Sequence, residues 1–281
     1  MSYELTPIAG TSLHTMGFSW WRGWPDPSMK HRHPEVELLV ISRARVRWSY
    51  AAKVHHIVPG RLAVLWGIRL HGALAAPATA IADIVRMPLA RVLRWRLPDW
   101  FVQRLLSHGV VFDEAPPVSG AEMRRLRRWH DLMQREIMEA DRIVELEVEA
   151  RMRELALTLE HRGFDSARPL APGSLTHFEA IATIVAQRYR HPLRVSEIAK
   201  MIGIHRVSAN RIFRSVTGTS LNQYITQHRL AHAQQMLAST DAKVDQIARD
   251  SGFRSVSRFY EAFEANIGFT PSQYRVRWRH R

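Results

Sequence analysis

The 281-residue chain contains no cysteine. Disulfides, thiolate metal sites and a cysteine nucleophile are therefore excluded, and the composition fits a reducing cytoplasm. Acidic residues are scarce beside basic ones: 26 Asp+Glu stand against 40 Lys+Arg, a formal net charge of +14. That balance points to a polyanionic partner, nucleic acid ahead of an anionic membrane surface. Long hydrophobic runs are missing. The most apolar stretch, 57–85, is broken by Pro59, Arg61, Arg69, His71, Pro77 and Asp83 and does not read as a membrane-crossing helix. The opening MSYELTPIAG lacks the basic and apolar regions of a secretory signal. No Gly-rich phosphate loop and no Ser-His-Asp order supports catalysis. The expectation is a soluble cytoplasmic protein that is not an enzyme and uses no cofactor.

What is present divides the chain. Residues 18 to about 90 hold short apolar runs, Glu37-Leu38-Leu39-Val40-Ile41, Val46-Arg47-Trp48-Ser49-Tyr50 and Leu62-Ala63-Val64-Leu65-Trp66, punctuated by Pro59-Gly60 and Gly67. These read as strands with frequent turns, in a barrel or sandwich. A helical stretch follows over about 98–108. Between 120 and 162, Met123, Leu126, His130, Met133 and Ile137 recur at spacings of 3 and 4, as do Val148, Met152, Leu155 and Leu159. Two amphipathic helices fit, packing either between subunits or on their own β-domain. A Pro-, Gly- and Ser-rich linker comes next. Charge concentrates beyond it: residues 176–281 carry 16 Lys+Arg against 7 Asp+Glu. The expected division is 1–120 as a sensing domain, 121–162 as a helical dimerisation element, 163–175 as linker and 176–281 as a DNA-binding domain.

The last part contains a repeat. Val195-Ser196-Glu197-Ile198-Ala199-Lys200-Met201-Ile202-Gly203-Ile204 leads to Ile212-Phe213, and Val244-Asp245-Gln246-Ile247-Ala248-Arg249-Asp250-Ser251-Gly252-Phe253 leads to Ala262-Phe263. Each reads as a short helix, a turn at glycine and a second helix whose apolar residues face inward. That pattern fits a helix-turn-helix unit with a polar face free to enter a major groove. Ser255 is a good N-cap for the second recognition helix, and His205 a poorer one for the first. A helical stretch from Leu221 to Leu237 joins the two units.

These residues, with Arg211-Ile212-Phe213, Thr217-Gly218, Gln223-Tyr224-Ile225, Arg229-Leu230, Ser257-Arg258-Phe259, Gly268, Thr270-Pro271 and Tyr274-Arg275, resemble the DNA-binding domain of the AraC/XylS family of bacterial transcription regulators. The resemblance implies two helix-turn-helix units reading tandem major grooves of promoter DNA, with RNA polymerase as a further partner and a homodimer as the assembly. It implies Val207, Asn210 and Arg211 as base contacts in the first unit and Val256, Ser257 and Glu261 in the second. Asn suits adenine, Arg suits guanine and Glu accepts from cytosine. Glu261 departs from the basic residue common there, so the second unit is expected to position more than read. Lys200, Arg214, Arg254 and Arg258 are the phosphate candidates.

The resemblance extends over the first 162 residues. His31-Arg32-His33-Pro34-Glu35-Val36-Glu37 and Pro59-Gly60-Arg61 through His71 are similar to the two motifs of a cupin-type sensor barrel. The implied fold is α+β: an N-terminal cupin-like β-barrel with a helical dimerisation element, then an all-α domain. Met87-Pro88-Leu89 and the paired helices are similar to the melibiose-type, sugar-responsive branch, which implies a small-molecule effector of the sugar class. Trp20, Trp24, His31, His33, Glu37 and His71 are the effector-binding candidates, aromatic faces stacking on sugar rings and polar groups meeting hydroxyls. Two other readings stay open. His31, His33, Glu37 and His71 have the spacing of an N3O metal set, which suits Fe, Mn, Ni or Zn and would make the chain a metal-dependent cupin enzyme or a metal-responsive sensor fused to a DNA-binding domain, although Pro25 and Ala44 stand where that motif has glycine. The tryptophans also suit plain core packing.

Overall fold

The computed structural model describes residues 18–27, 30–107, 109–114, 120–135, 137–160 and 173–279. The expected linker therefore lies largely outside the described residues. The chain forms two compact units, one of residues 1–30 and 35–169 and the other of residues 31–34 and 170–281.

The first unit is built on two antiparallel sheets. The larger has five strands in the order β1 (Ser19–Gly23), β7 (Ile81–Pro88), β2 (Glu35–Ser42), β5 (Leu62–Trp66) and β8 (Val111–Phe112). The smaller orders β4 (Lys53–Ile57), β3 (Val46–Tyr50) and β6 (His71–Ala75). The larger sheet is covered on both faces, so its central strands are apolar almost throughout instead of alternating. Leu39, Ile41, Ala63, Leu65, Ala82 and Ile84 pack against Val46, Trp48, Tyr50, Ile57 and Ala73 of the smaller sheet.

Neither sheet closes. β1 and β8 end the five-stranded sheet, and β4 and β6 end the three-stranded one, with no ladder joining the two. The cupin-like β-barrel expected from the sequence is therefore wrong. A barrel requires a continuous ring of ladder hydrogen bonds at a fixed stagger, and here two open sheets stack instead, with a two-residue strand at one edge. The α+β class stands.

Helices α1 (Leu89–Arg94) and α2 (Asp99–Ser107) precede β8. The helical pair that follows is α3 (Ala121–Met133) and α4 (Met138–Glu160). α3 buries Leu126, Trp129, Leu132 and Met133. Ile137, read as the next member of that stripe, is 53% exposed. The helix ends at Met133, and the periodic relation ends with it. α4 buries Val144, Val148, Met152, Leu155 and Leu159 along one face and leaves Leu146 and Leu157 outward.

The second unit is helical: α5 (Ser174–Arg188), α6 (Val195–Met201), α7 (Arg206–Thr217), α8 (Leu221–Ser239), α9 (Val244–Asp250), α10 (Val256–Ile267) and α11 (Pro271–Arg279). α6–α7 and α9–α10 are the two helix-turn-helix units. The first packs Phe213 between Phe178 and Tyr224, at ring separations of 5.1 and 5.0 Å. The second closes around Ile247, Ala248, Phe259, Phe263 and Tyr274. The connector α8 opens with a reciprocal cap, in which Ser220 Oγ accepts from Gln223 N and Gln223 Oε1 accepts from Ser220 N.

Candidate DNA interface and sensor site

The recognition helices α7 and α10 are amphipathic, and their polar sides stay open. On α7, Ala209, Phe213 and Val216 are buried while Arg206, Val207, Arg211 and Arg214 are exposed and Asn210 is half-buried. Val207, Asn210, Arg211 and Arg214 are spaced 3, 4 and 7 from the first, so they share one face. On α10, Phe259 and Phe263 are buried, Ser257, Arg258 and Glu261 are exposed, and Val256 is half-buried. Lys200 on α6 and Arg254 before α10 are also exposed.

Both helices are capped as their sequences indicate. Ser255 Oγ accepts from Arg258 N at 3.3 Å, and His205 Nδ1 accepts from Val207 N at a longer 3.4 Å. Each ends at a left-handed glycine, Gly218 or Gly268. The helix ranges align the units: Arg206 with Val256, Val207 with Ser257, Asn210 with Tyr260, Arg211 with Glu261 and Arg214 with Glu264. Arg206 and Tyr260, not among the contacts expected from the sequence, stand at positions that the helix ranges pair with Val256 and Asn210. Gly203 and Gly252 are 49 residues apart while the recognition helices are 50 apart, because the second turn is one residue longer. The consequence is electrostatic. The exposed positions of α7 carry three arginines and no acid, whereas their α10 counterparts are Val256, Glu261 and Glu264.

Of the four polar effector candidates, Glu37 and His71 belong to the first unit, while His31 and His33 lie in the segment grouped with the second. Glu37 and His71 are fully buried and His33 is 6% exposed. Glu37 Oε1 accepts from Arg86 Nε at 2.7 Å, and Glu37 Oε2 lies 3.4 Å from His71 Nε2. Cross-strand partners share a face and neighbours alternate, so the register sends Glu37 and Arg86 to the inter-sheet side. Trp24 packs on the same inter-sheet core, and its Nε1 donates to the Pro77 carbonyl. Trp20 is not brought there. It pairs with Val85 on the opposite face, and its ring meets that of His130 of α3 at a centroid separation of 3.9 Å, tilted by 33°. Beside it, Arg22 holds the buried Asp83 at 2.9 Å. Burial raises the Asp83 carboxyl above its ordinary range while Arg22 pulls it back.

A helix-turn-helix domain family matches residues 198–277. The Salmonella typhimurium regulatory protein SoxS is 34% identical over 106 residues, which span 37% of this chain and 99% of SoxS. The chain belongs to the AraC/XylS family. Similarity within the family runs beyond the DNA-binding unit: the Escherichia coli (strain K12) melibiose operon regulatory protein is 25% identical over 259 residues, covering 87% of this chain and 82% of that one. The solved structure of Vibrio cholerae ToxT, with an unsaturated fatty acid bound, superposes with a TM-score of 0.62 at 15% identity, covering 94% of this chain and 96% of ToxT. It shows a shared fold. The sequence relatives are regulatory proteins, and the chain is a DNA-binding transcription regulator of this family. No described helix is long and apolar enough to cross a membrane.

Proposed function

We propose that α7 and α10 enter adjacent major grooves of promoter DNA, one helical turn (~34 Å) apart, and that the first unit controls them by binding a small molecule of the sugar class. The observation that carries the DNA reading is the exposed, acid-free face of α7. Arg211 is the base reader, suited to guanine, with Asn210 suited to adenine and Val207 to a thymine methyl. Val256, Ser257 and Glu261 make the weaker contacts of the second unit. Lys200, Arg214, Arg254 and Arg258 neutralise phosphate. Arg211→Ala is expected to relax preference at one base position and to cost about 1–3 kcal/mol. Selection from a randomised duplex library checks this, and a uniform loss across all sequences would make Arg211 a phosphate contact.

In this reading residues 1–120 sense, 121–162 dimerise, 163–175 link and 176–281 bind DNA in the cytoplasm and present RNA polymerase with an occupied promoter. The outward Leu146 and Leu157 of α4 supply apolar surface for a second copy. The sugar class rests on the likeness to the melibiose operon regulator along most of the chain. A sugar at 100 times its Kd raises stability by about 2.7 kcal/mol. A melting temperature unmoved by every mono- and disaccharide tested would remove the sugar from the reading and leave the DNA interface standing.

A further inference from the structure

We infer that a cleft between α1 and α4 binds a sugar that bears an anionic group, a phosphate or a carboxylate. The cleft has a volume of about 490 Å³ and is lined by Arg91, Arg94 and Trp95 at the end of α1 and by Arg142, Glu145 and Glu149 on α4. That volume lies within the ~300–1,000 Å³ of small-molecule sites. All six residues belong to the first unit, and none of them is among the effector candidates named from the sequence. Arg142, Glu145 and Glu149 follow one another at spacings of 3 and 4 and so share one face of α4.

The acids of the cleft are satisfied from within, and cationic donors remain. Glu145 is buried. Its Oε1 accepts from Arg91 Nη1 at 2.7 Å and from Trp95 Nε1 at 3.5 Å, and its Oε2 accepts from Arg142 Nη1 at 2.9 Å. Burial works against its charge, but Arg91, Arg142 and Trp95 outweigh it and hold the carboxyl below its ordinary range. Glu149 is taken by Arg153, whose Nε and Nη2 both donate to Oε1, at 3.1 and 2.8 Å. Arg153 Nη2 also donates to the Trp95 carbonyl and ties the end of α1 to α4, so the walls stand before a ligand arrives. Two guanidiniums keep capacity. Arg94 is exposed, and its side chain has no hydrogen-bond or ion-pair partner among the described residues. Arg142 commits Nη1 alone, and a guanidinium carries five N–H donors. Such forks match carboxylate and phosphate by paired, charge-assisted bonds. Glu149 Oε2, which Arg153 does not use, is placed to accept a hydroxyl of the same molecule. An inorganic anion meets only the cationic side of the cleft and a neutral sugar only the Glu149 side, whereas a charged sugar meets both.

Such a ligand narrows the effector of the first unit to a charged sugar and rests on the reading of that unit as a sugar sensor. The test titrates the full chain by calorimetry with glucuronate and galacturonate, the monophosphates of glucose and galactose, inorganic phosphate and the two neutral hexoses. Arg94→Ala is compared with Arg125→Ala, which removes the same charge from α3 outside the cleft. Arg94 is exposed and unpaired, so its loss leaves the fold intact. The expected result is one charged sugar per chain, bound more tightly than inorganic phosphate or the neutral hexoses. Affinity falls at least about 10-fold in Arg94→Ala and stays unchanged in Arg125→Ala. A preference for the uronates or for the monophosphates identifies the anionic group. Absence of saturable binding by all four charged sugars would overturn the inference. Equal weakening in the two variants would overturn it too, by showing general attraction to a basic protein. A neutral sugar that raises the melting temperature while no charged sugar binds would remove the cleft and leave the sugar sensor standing.

Discussion

Gly252→Ala is expected to destabilise the DNA-binding unit by about 2–5 kcal/mol, far more than Gly203→Ala at the matching turn of the first helix-turn-helix. Both glycines are left-handed, with φ of +89° and +71°, and that conformation costs an L-residue roughly 1–2 kcal/mol. The difference lies in the neighbours. A Cβ on Gly203 meets nothing within 4 Å, whereas one on Gly252 would lie 2.7 Å from the Tyr189 carbonyl oxygen, 2.8 Å from that of Arg190 and 2.9 Å from Arg190 Cα. These backbone atoms cannot swing aside. Arg229 Nε donates to the Tyr189 carbonyl at 2.7 Å, and Arg190 Nε donates to the Asp250 carbonyl at 2.9 Å. Forced overpacking adds about 1–3 kcal/mol. Thermal unfolding of both variants, followed by helical circular dichroism, checks the contrast. Equal losses would show that Gly252 serves only its turn.

The second large effect concerns Arg151 on α4. Its side chain is buried, with Nε donating to Glu122 Oε1 of α3 at 2.8 Å and Nη2 pairing with Asp113 just after β8. Burial works against the charge, but Glu122 and Asp113 outweigh it and hold the guanidinium above its ordinary range. Arg151→Ala leaves two carboxylates facing each other without their cation. Removing one partner of a buried pair costs about 3–5 kcal/mol. The lower end is expected here, because Asp113 and Glu122 keep 14% and 16% of their side-chain surface in water. Arg125→Ala, which breaks the more exposed pair with Glu154, is expected to fall within about 0–1 kcal/mol. Chemical denaturation of the full chain separates the two. A loss of under about 1 kcal/mol at Arg151 would mean that the network contributes geometry and little stability.

How much was legible follows from the range over which each signal acts. The helix-turn-helix units were read correctly because their marks are local: inward apolar residues at helical spacing, glycine at the turn and Ser255 at the cap. The strands were read too, since short β-rich runs between turn residues identify them. Which strands pair, and whether the ends meet, was not legible. The motifs shared with a cupin sensor lie along individual strands and carry no information about closure. The Trp20 face was missed for the same reason: one step along β1 moves a side chain through the sheet, and only the register against β7 says which side faces Glu37.

The sequence by itself determined that this is a basic, cysteine-free regulator with two helix-turn-helix units, because periodicity, turn residues and the paired AraC/XylS signature need no distant contact to be recognised. Tertiary structure alone decided three things. Two open sheets stack where a barrel was expected, because edge pairing is a contact between residues far apart in the chain. The backbone of Tyr189 and Arg190 crowds Gly252 and leaves Gly203 alone, because only packing brings α5 against the second turn. His71, 34 residues beyond Glu37, comes within 3.4 Å of its carboxylate, because the smaller sheet that carries β6 packs on the larger one that carries β2.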